Sequence, residues 1–142
     1  MKAITIKQPW ATLIALGEKK FETRSWQTKY RGPIAIHAGK AIDKEACKDR
    51  EIAAALNKHG IIISDLPTGS VVAIGELSGC YKVIEDFGDS AYTNGPVIRS
   101  NEYPFGDYAE GRYAWKLERI KALDEPVKAK GQLSLWNWDG IK

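Results

Sequence analysis

Residues 8–33 hold the feature that most constrains this fold: a short apolar helix pattern that stops at a glycine and gives way to a charged strand pattern. Trp10, Leu13 and Ile14 follow the i, i+3, i+4 spacing of a buried helix face. Gly17 stands where the residue after a helix commonly adopts a left-handed conformation. The helix is therefore short, and the chain must turn directly into the next element.

Residues 20–26 alternate as a strand does, which predicts Glu22 and Arg24 on one face and Thr23 on the other. Over residues 19–31, five basic residues stand against one acid, with three aromatic rings interleaved among them. The cations are Lys19, Lys20, Arg24, Lys29 and Arg31, and the rings are Phe21, Trp26 and Tyr30. Because cations contact phosphates and flat rings stack on bases, this stretch predicts a groove for single-stranded nucleic acid.

The rest of the chain is mostly β in pattern. Strands are predicted over residues 3–7, 34–38, 70–85 and 112–120, with an apolar end over 132–138 and a helix over 43–58. Residues 86–111 follow no period, and a loop this long in a compact domain is usually functional. Five or six strands with two helices indicate an α+β fold, a small mixed or barrel-like sheet with helices at its ends.

Length and composition narrow the class of protein. A chain of 142 residues with 44% hydrophobic content fits a single soluble domain, 1–142, with a real core. The formal net charge of +3 permits an anionic partner but does not require one. Cys47 and Cys80 lack the spacing of metal ligands and are expected to be reduced. No apolar run predicts a signal peptide or a membrane span, so we expect a cytoplasmic protein. We expect no cofactor and no metal site, and the oligomeric state stays open, with a monomer favoured.

Several motifs of this chain resemble those of a known family. They are Gln8-Pro9-Trp10, Gly17-x-Lys19-x-x-Glu22-x-Arg24-Ser25-Trp26, Tyr30-Arg31-Gly32 and Pro104-Phe105-Gly106-Asp107-Tyr108…Gly111-Arg112-Tyr113-x-Trp115. In order and spacing they resemble the ASCH (activating signal cointegrator homology) domain family, whose fold is similar to that of the PUA domain. The resemblance implies a PUA-like small β-barrel of five to six strands with flanking helices. It also implies RNA, or a nucleotide or nucleoside, as the partner.

The resemblance further implies a basic cleft beside the barrel, lined by Lys19, Glu22 and Arg24. There Lys19 and Arg24 would meet phosphate or a base edge, and Glu22 would accept from an exocyclic amine. The other binding candidates are Trp10, Ser25, Trp26, Tyr30, Arg31 and Arg112, with Arg99, Asp107 and Tyr108 at the border of the cleft. On pattern alone, a solvated strand face with an ordinary Glu22–Arg24 ion pair explains the same charges equally well.

One position departs from the sequence pattern of a hydrolase branch of the family that this chain resembles. That branch acts on acetylated cytidine and carries Gly-x-Lys-x-x-Thr-x-Arg, with the lysine and threonine taken as catalytic. Gly17, Lys19 and Arg24 match this pattern, but Glu22 replaces the threonine, and the adjacent Thr23 is predicted on the opposite face. An alternative function is therefore a hydrolase of RNA or of an N-acylated cytidine that uses Lys19 and Glu22 as an acid–base pair. A protein-interaction domain is a third hypothesis.

Overall fold

The computed structural model describes residues 1–140, which form a mostly β protein with two α-helices. The helices are α1 (Trp10–Ala15) and α2 (Arg50–Lys58). The strands are β1 (Lys2–Gln8), β2 (Phe21–Arg24), β3 (Gly32–Ile42), β4 (Ser70–Asp86), β5 (Ala91–Thr93), β6 (Val97–Ile98), β7 (Tyr113–Lys128) and β8 (Leu135–Asn137). No helix formed by these residues is long and apolar enough to cross a bilayer.

The strands form one mixed sheet in the order β2-β7-β4-β3-β1-β8, with the β5–β6 hairpin paired to the end of β4. β1 runs parallel to β3, and the other pairs are antiparallel. The α+β class is therefore confirmed. Within residues 1–140, however, the pairing path is open, with β2 and β8 at its two ends, so these pairings do not form the closed barrel of the expectation.

Residues 1–140 form eight strands where five or six were predicted. The difference lies largely in β5 and β6, which occupy the stretch predicted to be an irregular loop. They contain three and two residues, respectively. Strands of this length are too short to show an alternation in the sequence, because their existence depends on the partner strand that they pair with.

The predicted helix over residues 43–58 is wrong in its first half. Only Arg50–Lys58 is α-helical, and Ala46–Lys48 is a separate 3₁₀ turn. Asp49 divides the two because its backbone is extended, with φ −59° and ψ 136°. The carboxylate of Asp43 accepts from the backbone N–H of Ala46 (3.0 Å), the first residue of the 3₁₀ turn.

The motif Gln8-Pro9-Trp10 joins β1 to α1 through one buried amide side chain. Gln8 is fully buried; its Oε1 accepts from the backbone N–H of Thr12 (2.9 Å), and its Nε2 donates to the carbonyl of Pro67 (2.8 Å). The first acceptor satisfies a donor that a helix start leaves unpaired. Gln8 thereby links the start of α1 to the end of β1, and so fixes where the chain leaves α1 towards β2.

Candidate functional site

A cavity of about 900 Å³ lies beside β2 and is called here the main cleft. Seven of the nine predicted site residues line it: Trp10, Lys19, Glu22, Arg24, Ser25, Trp26 and Arg112. Thr23, residues of β1 and β3, Asp49 and Ile52 at the start of α2, the segment 104–107 and the segment 132–134 complete its walls. The cleft is thus assembled from parts of the chain that are far apart in sequence.

The turn after α1 directs Lys19 into the floor of the main cleft. Gly17 has φ +79°, a left-handed conformation that glycine adopts readily. The backbone N–H groups of Glu18 and Lys19 then both donate to the carbonyl of Leu13, at 3.0 and 3.1 Å. This tight helix end leaves Lys19 only 1% exposed, with its Nζ donating to the carbonyl of Phe105 at 2.6 Å. The left-handed glycine at the end of α1 therefore positions the most buried cation of the site.

Lys19, Glu22 and Arg24 form one connected chain of charges. Glu22 Oε1 lies 3.7 Å from Lys19 Nζ, and Glu22 Oε2 accepts from Arg24 Nε at 3.0 Å. Arg24 also donates from Nη2 to the carbonyl of Thr5 at 2.8 Å. Since Lys19 is 1% and Glu22 9% exposed, the alternative of a solvated strand face is wrong. The Glu22–Arg24 ion pair exists, but it forms part of a buried network.

Burial lowers the pKa of Lys19 from its ordinary value because the charged ammonium loses its hydration. The nearby carboxylates of Glu22 and Glu102 oppose this shift, because they stabilise the ammonium. The two effects act on a group at the base of an open cavity. Such a lysine is better suited to proton transfer than one that is fully hydrated.

Glu102 is a buried carboxylate near Lys19 that the sequence reasoning missed, although it does not itself line the main cleft. It is 7% exposed and accepts from the backbone N–H groups of Lys20 (2.9 Å) and Phe21 (3.3 Å), so it anchors the start of β2. Burial raises the pKa of its carboxyl, while the charge of Lys19 and the two backbone donors oppose that shift. The one signal that could have found it is its position two residues before the motif that begins at Pro104.

The segment 104–107 is fastened to β2 by Thr23 and Arg112. Thr23 Oγ1 accepts from the backbone N–H of Asp107 (3.0 Å), and Arg112 Nε donates to the carbonyl of Asp107 (3.1 Å). Arg112 Nε also lies 3.5 Å from Asp107 Oδ2. The hydroxyl of Thr23 is therefore occupied by a hydrogen bond to the segment 104–107. Of the predicted border residues, Asp107 lines the main cleft, whereas Tyr108 is buried in the core and Arg99 is not part of the lining.

Trp26 forms a firmly held wall of the main cleft. Its ring meets that of the fully buried Trp115 edge-on, with 4.7 Å between centroids and 88° between planes. Trp115 Nε1 also donates to the carbonyl of Trp26 at 3.3 Å. Trp10, at the start of α1, is the second indole of the lining, and both are only partly buried. Two flat apolar surfaces therefore remain partly accessible in the cleft.

Tyr30 and Arg31 are not brought into the main cleft. The Tyr30 hydroxyl donates to the carbonyl of Pro33 at 2.5 Å, and Arg31 Nη1 donates to the carbonyls of Thr28 and Tyr30 at 2.9 and 2.7 Å. Both side chains stabilise the turn that leads into β3. The chain bends away after Trp26, so neither side chain lines the cavity that contains Lys19.

Lys7 and Lys40 are two further cations of the main cleft that the sequence reasoning did not assign to it. The strand predicted over residues 34–38 continues to Ile42 as β3, which carries Lys40 along the cleft. Both lysines are exposed, and among residues 1–140 neither forms an ion pair. Five basic side chains therefore face the cleft against three acidic ones, of which Glu22 and Asp107 are already paired.

Comparison with known proteins assigns the chain to a family by its sequence. The model of the family described as the ASCH domain matches residues 4–126, which is most of the chain. No curated protein matches it closely enough to count as a relative. In the part of the chain that the structure describes, no group of three or more His, Cys, Asp or Glu side chains is arranged to hold a metal ion.

Proposed function

The chain belongs to the ASCH domain family, and we propose that it binds RNA, or a nucleotide within RNA, in the main cleft. On this proposal the open mixed sheet is of the PUA-like type, and the protein works as a single cytoplasmic binding domain over residues 1–142. The ligand enters beside β2, where cations and partly exposed indoles line the same cavity.

The observation that carries the proposal is the division of charge within the main cleft. At its floor Glu22 pairs with both Lys19 and Arg24, whereas Lys7 and Lys40 have no ion-pair partner among the described residues. Unpaired exposed lysines suit a phosphate, because neutralising it releases bound counterions. Trp10 and Trp26 supply surfaces on which a base can stack, and the carboxylate of Glu22 can accept from an exocyclic amine.

A salt titration of RNA binding tests this proposal. The probe is a fluorescein-labelled single-stranded RNA of mixed sequence, about ten nucleotides long. We expect affinity to fall steeply with salt in the unchanged protein. In Lys7→Ala and in Lys40→Ala, the slope of log affinity against log salt should decrease by about 0.7, because one phosphate is no longer neutralised.

The matched control is Lys121→Ala, because Lys121 is an exposed lysine on β7 that does not line the main cleft. We expect Arg24→Ala to weaken binding as well, because it removes a cation that lines the cleft and pairs with Glu22. Affinity that ignores salt and is the same in the Arg24→Ala, Lys7→Ala and Lys40→Ala variants would remove the basis of the proposal.

A second candidate is hydrolysis of RNA or of an N-acylated cytidine. It is favoured by Lys19 and Glu22, an ammonium with a lowered pKa and a carboxylate 3.7 Å apart at the floor of an open cavity. In the amide reaction Glu22 takes a proton from a water that attacks the acyl carbon, while Lys19 polarises the carbonyl or protonates the leaving amine. The C–N bond breaks, and the products are a carboxylic acid and the free amine.

Product formation separates the two functions. An enzyme requires turnover in the unchanged protein that is lost in Glu22→Gln while ligand binding persists. Lys19→Arg keeps the positive charge and serves as the companion variant, because loss of Lys19 altogether also threatens the fold. No product after prolonged incubation with either substrate class, together with salt-dependent RNA binding, would leave the binding function alone.

A further inference from the structure

A second cavity, of about 500 Å³, lies beside the segment that follows Trp26 and is called here the basic groove. It is lined by residues 27–29 and 31 on one side and by Cys80, Lys82, Asn94 and Tyr113 on the other. The segment 27–31 is stiffened by its own hydrogen bonds, and Lys82 is held through its backbone N–H to Asn94 Oδ1 (3.0 Å). The groove is therefore part of the folded structure.

The charge of the basic groove has one sign. Lys29, Arg31 and Lys82 are all exposed, and none of the eight lining residues is acidic. Across residues 1–140 none of these three cations forms an ion pair. Several other cations of the surface, such as Lys48 and Lys58, are paired with glutamates. An unpaired cluster of this kind attracts an anion with several charges.

The basic groove adjoins the main cleft in two ways. Trp26 lines the cleft and the next residue, Gln27, lines the groove. Across the sheet, Arg24 of the cleft pairs with Tyr113, and Tyr113 pairs with Lys82 of the groove. Directly paired residues of neighbouring strands share a face of the sheet, and three strands span about 10 Å. A single surface therefore carries cations from one cavity to the other.

We propose that the basic groove is the continuation of the nucleic-acid site, which binds the backbone of a single-stranded polynucleotide next to the nucleotide held in the main cleft. This proposal rests on the proposed function. The span of about 10 Å corresponds to roughly three stacked nucleotides at about 3.4 Å each. The strand is single because a base can reach the indoles of the cleft only when it is unpaired. The half-buried ring of Tyr113 offers a stacking surface between the two cavities.

The test compares a short ligand with a long one on the same variants. The double variant Lys29→Ala/Lys82→Ala removes two charges of the groove. Arg31 is left unchanged, because its guanidinium donates to two carbonyls of the turn. The control is Lys121→Ala/Lys128→Ala, which removes two exposed lysines of β7 that line neither cavity. The probes are the four ribonucleoside 5′-monophosphates and a single-stranded RNA of about ten nucleotides.

We expect the groove variant to bind the RNA about tenfold more weakly than the unchanged protein at low salt, with a salt slope reduced by about 1.4 because two phosphates are no longer neutralised. Binding of the monophosphates should not change, and the control variant should behave as the unchanged protein does. Equal RNA affinity and slope in the groove variant, together with weakened binding in Arg24→Ala, would overturn the groove but not the cleft. Failure of the unchanged protein to bind either probe would overturn the proposed function and the groove with it.

Discussion

The main cleft and the basic groove hold cations of two different kinds. At the floor of the cleft Lys19 is 1% exposed, and its Nζ lies 3.7 Å from the Glu22 carboxylate and 2.6 Å from the carbonyl of Phe105. In the groove Lys29 and Lys82 are exposed and, within the described part of the chain, form no ion pair. Paired charges in a poorly hydrated interior hold a structure together, whereas unpaired charges in water attract a ligand and respond to salt.

This difference separates stability from affinity. A substitution at the cleft floor should lower the free energy of unfolding strongly, because it leaves buried partners unmatched. A substitution in the groove should leave stability nearly unchanged and act on the salt dependence of binding. Substitution of Lys7 or Lys40, at the rim of the cleft, should likewise change the salt dependence of binding more than stability, since both are exposed.

The largest effect is expected from Lys19→Met. The change keeps an unbranched side chain but removes the charge beside Glu22 and Glu102, so we expect the free energy of unfolding to fall by about 3 kcal/mol. Urea denaturation measures it. Lys29→Met in the groove is the matched control, with an expected change within about 0.5 kcal/mol. Equal losses in the two variants would erase the distinction between buried and exposed cations.

Trp26→Ala should come next, because Trp26 lines the main cleft and directly precedes Gln27, the first lining residue of the groove. We expect it to weaken binding of both monophosphate and RNA by about 1–3 kcal/mol, the usual contribution of one stacked base. Trp26→Phe keeps a flat ring and should recover most of that loss. Fluorescence anisotropy with the labelled RNA, and competition by the monophosphates, measure both ligands. If Trp26→Phe binds as poorly as Trp26→Ala, the ring is not a stacking surface.

The pH dependence of stability should distinguish the buried Glu102. Its pKa in the folded state is raised above its ordinary value of 4.5 by burial. The folded state therefore binds this proton more tightly than the unfolded state does. Its contribution to stability is full below the unfolded pKa and is lost as pH rises through the folded pKa.

The unchanged protein should accordingly gain stability relative to Glu102→Gln as the pH falls from about 7 towards about 4.5. Urea denaturation across that range measures the difference. Glu110→Gln, in an exposed position of the same loop, is the matched control. An identical pH trend in the two variants would show that burial of Glu102 has no part in it.

The smallest effect is expected from Arg31→Lys, which keeps the charge of the groove and removes the fork that donates to Thr28 and Tyr30. We expect a loss of about 0.5 kcal/mol in the free energy of unfolding, because these hydrogen bonds are exposed. RNA affinity should change by no more than about twofold, since a phosphate contact depends chiefly on charge. A large loss of affinity would mean that the shape of the turn, rather than its charge, makes the groove.

Much of the cleft could be predicted from the chain because it arises from local rules. The helix ending at Gly17 and the order of Lys19, Glu22 and Arg24 are visible as spacing, and these side chains do share the cleft. The α+β class follows from the same periodicities. The helix over 43–58 was wrong because one extended residue, Asp49, interrupts a pattern that is otherwise helical.

The sequence by itself determined which residues lie near one another along β2 and which family the chain belongs to. Only the tertiary structure decided what meets them from elsewhere: the carboxylate of Glu102, the carbonyl of Phe105, the rim lysine Lys40, and the departure of Arg31 into a second cavity. Helix and strand periods act over a few residues, whereas these contacts depend on the strand order β2-β7-β4 and on loops that have no period. The ion-pair partners and the burial of each group follow from that order.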